Sequence, residues 1–234
     1  MKYLYKALAP FFLYSFLFIS FGCSESNSPA KINAAKSFLA LGDSYTIGTG
    51  INPENSWPNQ LSDSLRAHNA VLDTTIIIAT NGWTTTDLKK GITEKNLDQT
   101  FDLVSLLIGV NNQYQGMEIG IYEAEFRQLL EQAISYADNI PERVFVVSIP
   151  NYGATPFAQS RNPDKIREEI VRYNEIAQDI ATELNVGFMN ITPISELAVS
   201  DQTLLASDNL HPSEKMYAIW IEAMLPEIKT KIEK

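Results

Sequence analysis

Five short apolar runs alternate along this chain with stretches whose apolar residues recur at helical spacing, and this alternation restricts the fold more than any other feature. The runs are Phe38–Leu41, Thr75–Ala79, Phe101–Ile108, Arg143–Ile149 and Val186–Ile191. Between them, Trp57–His68 follows an Asn55-Ser56 cap, Ile121–Tyr136 reads as a helix, and Asp164–Leu184 is a long helix opened by Pro163. A closing helix carries Met216, Ile219, Trp220, Ala223 and Ile228 on one face. Strands that alternate with helices form parallel βαβ units, because a parallel partner is reached only through a crossover. Runs apolar at nearly every position suit strands covered on both faces. The expected fold is α/β, a three-layer α/β/α sandwich around about five parallel strands, filling one domain over residues 37–234.

Composition removes several classes of function. The formal net charge is -10, and no basic stripe offers the clustered Lys and Arg that phosphate neutralisation needs, so no nucleic-acid partner is expected. Cys23 is the single cysteine, which excludes an intramolecular disulfide and any zinc site built from several thiolates. With His68 and His211 the only histidines, a His-rich metal site is not expected either, and neither metal nor cofactor is called for. Residues 1–22 read as a signal peptide: Lys2 and Lys6 precede an apolar run, Ala7 to Phe21, that is short for a bilayer span. Gly22-Cys23 at its end resembles the lipobox of bacterial lipoproteins. Lipidation of Cys23, a tether over 23–36, and a place at a membrane of the cell envelope are therefore expected, with a soluble exported protein as the alternative.

The first run ends Leu41-Gly42-Asp43-Ser44-Tyr45, which would deliver Ser44 to the carboxyl end of a strand, where open α/β sheets place their ligands. Gly42 is read as the residue that lets the backbone turn sharply there, and Asp43 as a turn residue rather than a catalytic one. A serine hydroxyl is a weak nucleophile at neutral pH and needs a base within hydrogen-bond reach. His211, in Asp208-Asn209-Leu210-His211 just before the last helix, is the histidine placed to be that base, and Asp208 could accept from its imidazole and hold the tautomer. His68, deep in a helical stretch, reads as a surface or cap residue. Strand 75–79 ends in Thr80-Asn81-Gly82-Trp83, and strand 101–108 ends in Gly109-Val110-Asn111-Asn112. Tyr45, Trp57, Trp83, Tyr114 and Tyr152 fall in or near such loops and are candidates to line a groove.

Taken in order, Gly-Asp-Ser, a lone Gly, Gly-x-Asn-Asn and Asp-x-x-His resemble the four blocks of the SGNH hydrolases, the GDSL esterases and lipases. The resemblance covers roughly Phe38 to Pro226. It implies a flavodoxin-like α/β/α sandwich and hydrolysis of carboxylic esters through an acyl-serine intermediate, with a triad of Ser44, His211 and Asp208. It further implies an oxyanion hole formed by the Ser44 and Gly82 N–H groups and the Asn111 side chain. Substrates in such a family are small esters, lipids or acylated glycans. Asn112 departs from the family pattern, which often has Asp there, and is expected to point away from Ser44. The alternative is an envelope lipoprotein that keeps the fold as a glycan-binding or interaction module.

Overall fold

A computed structural model describes residues 1–3, 36–68 and 72–232. The chain divides into a unit Met1–Ile32 and a unit Asn33–Lys234. Cys23, the signal segment beyond its first three residues, and the tether up to residue 35 lie outside the described residues.

The larger unit runs β1 (Lys36–Gly42), α1 (Ser44–Ile47), α2 (Trp57–Ala67), β2 (Leu72–Ala79), α3 (Thr85–Lys95), β3 (Leu103–Leu107), α4 (Val110–Tyr114), α5 (Ile119–Tyr136), β4 (Val144–Val147), α6 (Pro163–Glu183), β5 (Gly187–Met189), α7 (Thr192–Ser195) and α8 (Glu214–Ile232). The five strands are parallel, in the order β2-β1-β3-β4-β5. Helices α2 and α8 pack together on one face, while α3, α5 and α6 follow one another on the other. The expected α/β/α sandwich is the fold observed.

Burial explains the apolar runs. Every residue of β3 and β4 is buried, as is β1 from Phe38 onward, so these strands have no solvent face on which to place polar residues. Register then fixes the site. Gly42 pairs with Ala79 on one side and Leu107 on the other, so the carboxyl ends of β1, β2 and β3 lie level. The chain leaves β1 toward β2 but enters β3 on the opposite side, and this change of direction opens a crevice at the strand ends.

Three expectations need correction. Helix α8 is ordered along the i, i+4 row Met216, Trp220, Met224, Ile228 and Ile232, flanked by Tyr217 and Ile221. Ala223 lies one residue off that row and is exposed, and Ile219 is only half-buried. Helix α3 has no counterpart among the expected elements. It buries few large apolar side chains, Leu88 and Ile92 among them, and is recognised instead by its capping box: Thr84 accepts from the Asp87 N–H while Asp87 accepts from that of Thr84. β2 also begins three residues earlier than the β-branched run suggests, at Leu72.

Candidate active site

The nucleophile candidate stands at the first turn of α1, directly after β1. Asp43 is the N-cap: its Oδ1 accepts from the Tyr45 N–H at 3.0 Å, and its carbonyl accepts from Thr46 and Ile47. Gly42 is required here for space. A Cβ on it would collide with Thr46 Oγ1 and stand 2.6 Å from the Leu107 carbonyl oxygen. The expected role of Gly42 as a conformational hinge is therefore replaced by the close approach of the Leu107 backbone and the Thr46 side chain, since it is not among the positive-φ glycines. Asp43 is fully buried and among the described residues its Oδ2 has no hydrogen-bond partner, so burial pushes its carboxyl up to about 7 against the pull of the Tyr45 N–H.

The candidate base arrives on a tight turn. Asp208 Oδ1 accepts from the N–H groups of Leu210 and His211, both at 3.0 Å, and Oδ2 meets His211 Nδ1 at 2.6 Å. Asn209 supplies the left-handed residue the turn needs, at φ +57°. The Ala206 N–H donates back to the His211 carbonyl at 2.8 Å. Partial burial draws the Asp208 carboxyl upward, but the three bonds from His211 and Leu210 outweigh it and hold the group below the ordinary carboxylate range. With Nδ1 bound to the carboxylate, Nε2 is the nitrogen free to accept a proton. Among the described residues Ser44 Oγ has no hydrogen bond to the imidazole, although both line one cavity; such links often tighten only with substrate bound.

The opposite wall comes from the turn after β2 and from α4. Gly82 sits at φ +82°, where an added Cβ would meet nothing within 4 Å, so backbone conformation and not room calls for glycine. Asn111 is the second residue of α4, and its Nδ2 donates to the Trp83 carbonyl at 2.9 Å. One amide hydrogen thus bridges the two loops, and the second remains for the cavity. Asn112 points away, as expected, and bonds to the start of α3, where its Oδ1 accepts from the Thr85 N–H at 3.0 Å and its Nδ2 donates to Thr85 Oγ1 at 2.7 Å. Thr85 Oγ1 donates onward to Glu125 at 2.6 Å. An aspartate at 112 would leave the single Thr85 hydroxyl proton to serve two carboxylates, which gives a physical reason for asparagine.

These parts enclose a cavity of about 290 Å³ lined by Ser44, Tyr45, Asn81, Gly82, Val110, Asn111, Tyr114, Tyr152, Phe157, Leu210 and His211. Every residue assigned from the sequence to a triad or an oxyanion hole borders it except Asp208, which stands behind the imidazole. Of the five aromatic candidates, Tyr45, Tyr114 and Tyr152 reach the cavity. Trp57 is instead core, packed against Phe38 and Phe145, and Trp83 lies over α3, where a Cβ at Gly91 would strike its ring. Phe157 and Leu210 are lining residues that the sequence reading missed. Phe157 follows β4 in Pro156-Phe157-Ala158, so the rule that loops after strands carry the site would have found it. His68 caps α2 with Nδ1 against the Ser64 carbonyl and does not line the cavity.

Comparison with known proteins adds three findings. Residues 40–219 match the model of the GDSL-like Lipase/Acylhydrolase family. A Vibrio mimicus protein described as an arylesterase is 31% identical over 128 residues, an alignment that spans 53% of this chain and 61% of that protein. Among solved structures, TesA superposes with a TM-score of 0.65 at 15% identity, covering 84% of this chain and 99% of that one. Axe2, an acetylxylan esterase from Geobacillus stearothermophilus, gives 0.63 at 22%, covering 82% and 94%. Both likenesses establish the fold.

Proposed function

Since this chain belongs to the GDSL-like lipase/acylhydrolase family, we propose that it hydrolyses carboxylic esters through an acyl intermediate on Ser44. The observation that carries the reading is the convergence of a serine, an Asp208-supported imidazole and the Gly82–Asn111 wall on one cavity at the strand ends. In this mechanism Ser44 Oγ attacks the ester carbonyl carbon while His211 Nε2 takes its proton. The oxyanion is met by the N–H groups of Ser44 and Gly82 and by the free hydrogen of the Asn111 amide. His211 returns the proton to the departing alkoxide, water then attacks the acyl-serine with His211 again as base, and the carboxylic acid leaves. Asp208 transfers no atoms; it fixes the ring and stabilises the imidazolium.

The cavity's modest volume and its Tyr45, Tyr114, Tyr152 and Phe157 walls favour short acyl groups, including acetyl and aryl esters, over long fatty chains. The relatives described as an arylesterase and an acetylxylan esterase support the same substrate range. Hydrolysis of p-nitrophenyl acetate and butyrate, with phosphonate labelling of Ser44, tests the reading: turnover and labelling lost together in Ser44→Ala are expected. A wild type that neither turns over nor labels would identify a non-catalytic module.

The Gly22-Cys23 junction supports a further part of the proposal, lipidation of Cys23 and anchoring at the bacterial envelope. Durable anchoring takes more than one acyl chain. Metabolic labelling with a fatty acid should mark the wild type and not Cys23→Ser; an unlabelled, fully soluble wild type would exclude the anchor.

A further inference from the structure

Resting on the esterase reading, we infer that Arg161 makes this site selective for esters that carry a carboxylate on the portion lying against the aromatic rim. Tyr114 of α4 meets Tyr152 and Phe157, from the turns after β4, with ring centroids 6.0 and 6.2 Å away. Tyr114 and Phe157 are 43% and 37% exposed although both border the cavity, so they form its mouth and not its floor. The Arg161 guanidinium stacks on these two rim rings, just beyond the residues that line the cavity, 4.6 Å from the Tyr114 ring centroid and 5.3 Å from that of Phe157, and donates to the Tyr114 hydroxyl at 2.7 Å.

What Arg161 lacks is informative. The chain carries 28 acidic residues against 18 basic, yet among the described residues no carboxylate stands within ion-pairing distance of this guanidinium. Its neighbours along the chain do pair: Lys165 with Glu169 at 3.5 Å, and Arg167 with Glu196 at 3.4 Å. A guanidinium has five N–H donors, and one is engaged by Tyr114. The rings hold the planar fork in place, so little side-chain freedom remains to be lost when it takes up a planar, two-oxygen acceptor. In a molecule of net charge -10, this cation also offsets locally the repulsion an anionic substrate would meet on approach. A neutral ester has no group to satisfy the remaining donors, whereas a carboxylate accepts two of them at once. The bond cleaved is the same ester bond, water supplies the hydroxyl, and the carboxylate is carried unchanged into the product.

The test compares para-acetoxybenzoate with its methyl ester, two aryl acetates that differ in one charge, on the wild type, R161Q and R161K. The ratio of kcat/KM for the anionic ester to that for the neutral ester cancels their different intrinsic reactivity when variants are compared. In R161Q that ratio should fall about tenfold, in R161K by less, and the wild-type ratio should shrink as salt is raised, since an exposed pair is screened. Equal losses on both esters would show that Arg161 only braces the rings, and an unchanged ratio would remove it from recognition; either overturns the inference while leaving the esterase reading in place. A wild type that hydrolyses neither ester and is not labelled at Ser44 would overturn both.

Discussion

The proposed base side of the cavity and its proposed oxyanion side are held by different kinds of contact. Asp208 and His211 stand three residues apart on one turn, and nearly every bond that orients them comes from that turn: Leu210 N–H and His211 N–H to Oδ1, and the ring to Oδ2. The oxyanion side has no such local closure. Asn111 reaches back 28 residues to the Trp83 carbonyl, Asn112 reaches 27 to Thr85, and Thr85 reaches 40 forward to Glu125. A locally closed turn folds with its own segment, whereas a wall joined across β2, α3, α4 and α5 exists only once the sheet has formed. The base should therefore tolerate distant changes, and the oxyanion wall should transmit them.

The largest expected effect lies on the base side. Ser44→Ala and His211→Ala should each lower kcat by about 10⁴ to 10⁶ with the fold intact, and Asp208→Ala by about 10⁴ because it orients a group without exchanging atoms. Stopped assays on purified variants with matched circular dichroism check this, and unchanged turnover in the Ser44 or His211 variant would end the mechanism.

On the other side, Asn111→Ala should lower kcat by about 10² to 10³ with KM nearly constant, since its amide meets the oxygen only after negative charge has developed. A rise in KM alone would make Asn111 a substrate-binding residue.

The contrast sharpens at Asn112, which does not line the cavity. Asn112→Asp should lower kcat by about tenfold through displacement of the Thr85 segment, and Glu125→Gln in the same chain should restore part of it, a coupling on the order of 1 kcal/mol. If the double variant shows no recovery, competition between two carboxylates for the Thr85 hydroxyl is not what selects asparagine.

The smallest effect concerns Asp43, which serves neither side. Burial pushes its carboxyl up to about 7, so the folded chain holds a proton that the unfolded chain releases near pH 4. The stability this confers is complete below about pH 4 and is lost as pH rises through 7. Asp43→Asn should accordingly gain on the wild type between pH 5 and pH 8, by a few degrees in Tm at about 1 kcal/mol per 2–4 °C. A constant difference across that range would mean that Asp43 is ionised throughout.

The same division runs through what could be read from the chain. The apolar runs of β1, β3 and β4 declare strands because those strands have no solvent face, and Asp208-x-x-His211 declares itself because its partners are three residues apart. Ser44 and Gly82 are legible as residues at strand ends. Helix α3 is not, since its few apolar positions set no clear period, and Trp57 cannot be told from a groove residue until the core closes around it.

By itself, then, the sequence determined the βαβ order, the sandwich and the local turns that carry Ser44, Gly82 and His211, because helical spacing, strand burial and turn chemistry are short-range properties. Tertiary structure decided that Gly42 is glycine for space and Gly82 for its φ of +82°. It also decided that Asn112 holds Thr85, and that Tyr114 and Phe157 rather than Trp57 line the cavity. These depend on which distant segments become neighbours, and that follows from strand order and register, which bring the ends of β1, β2 and β3 level.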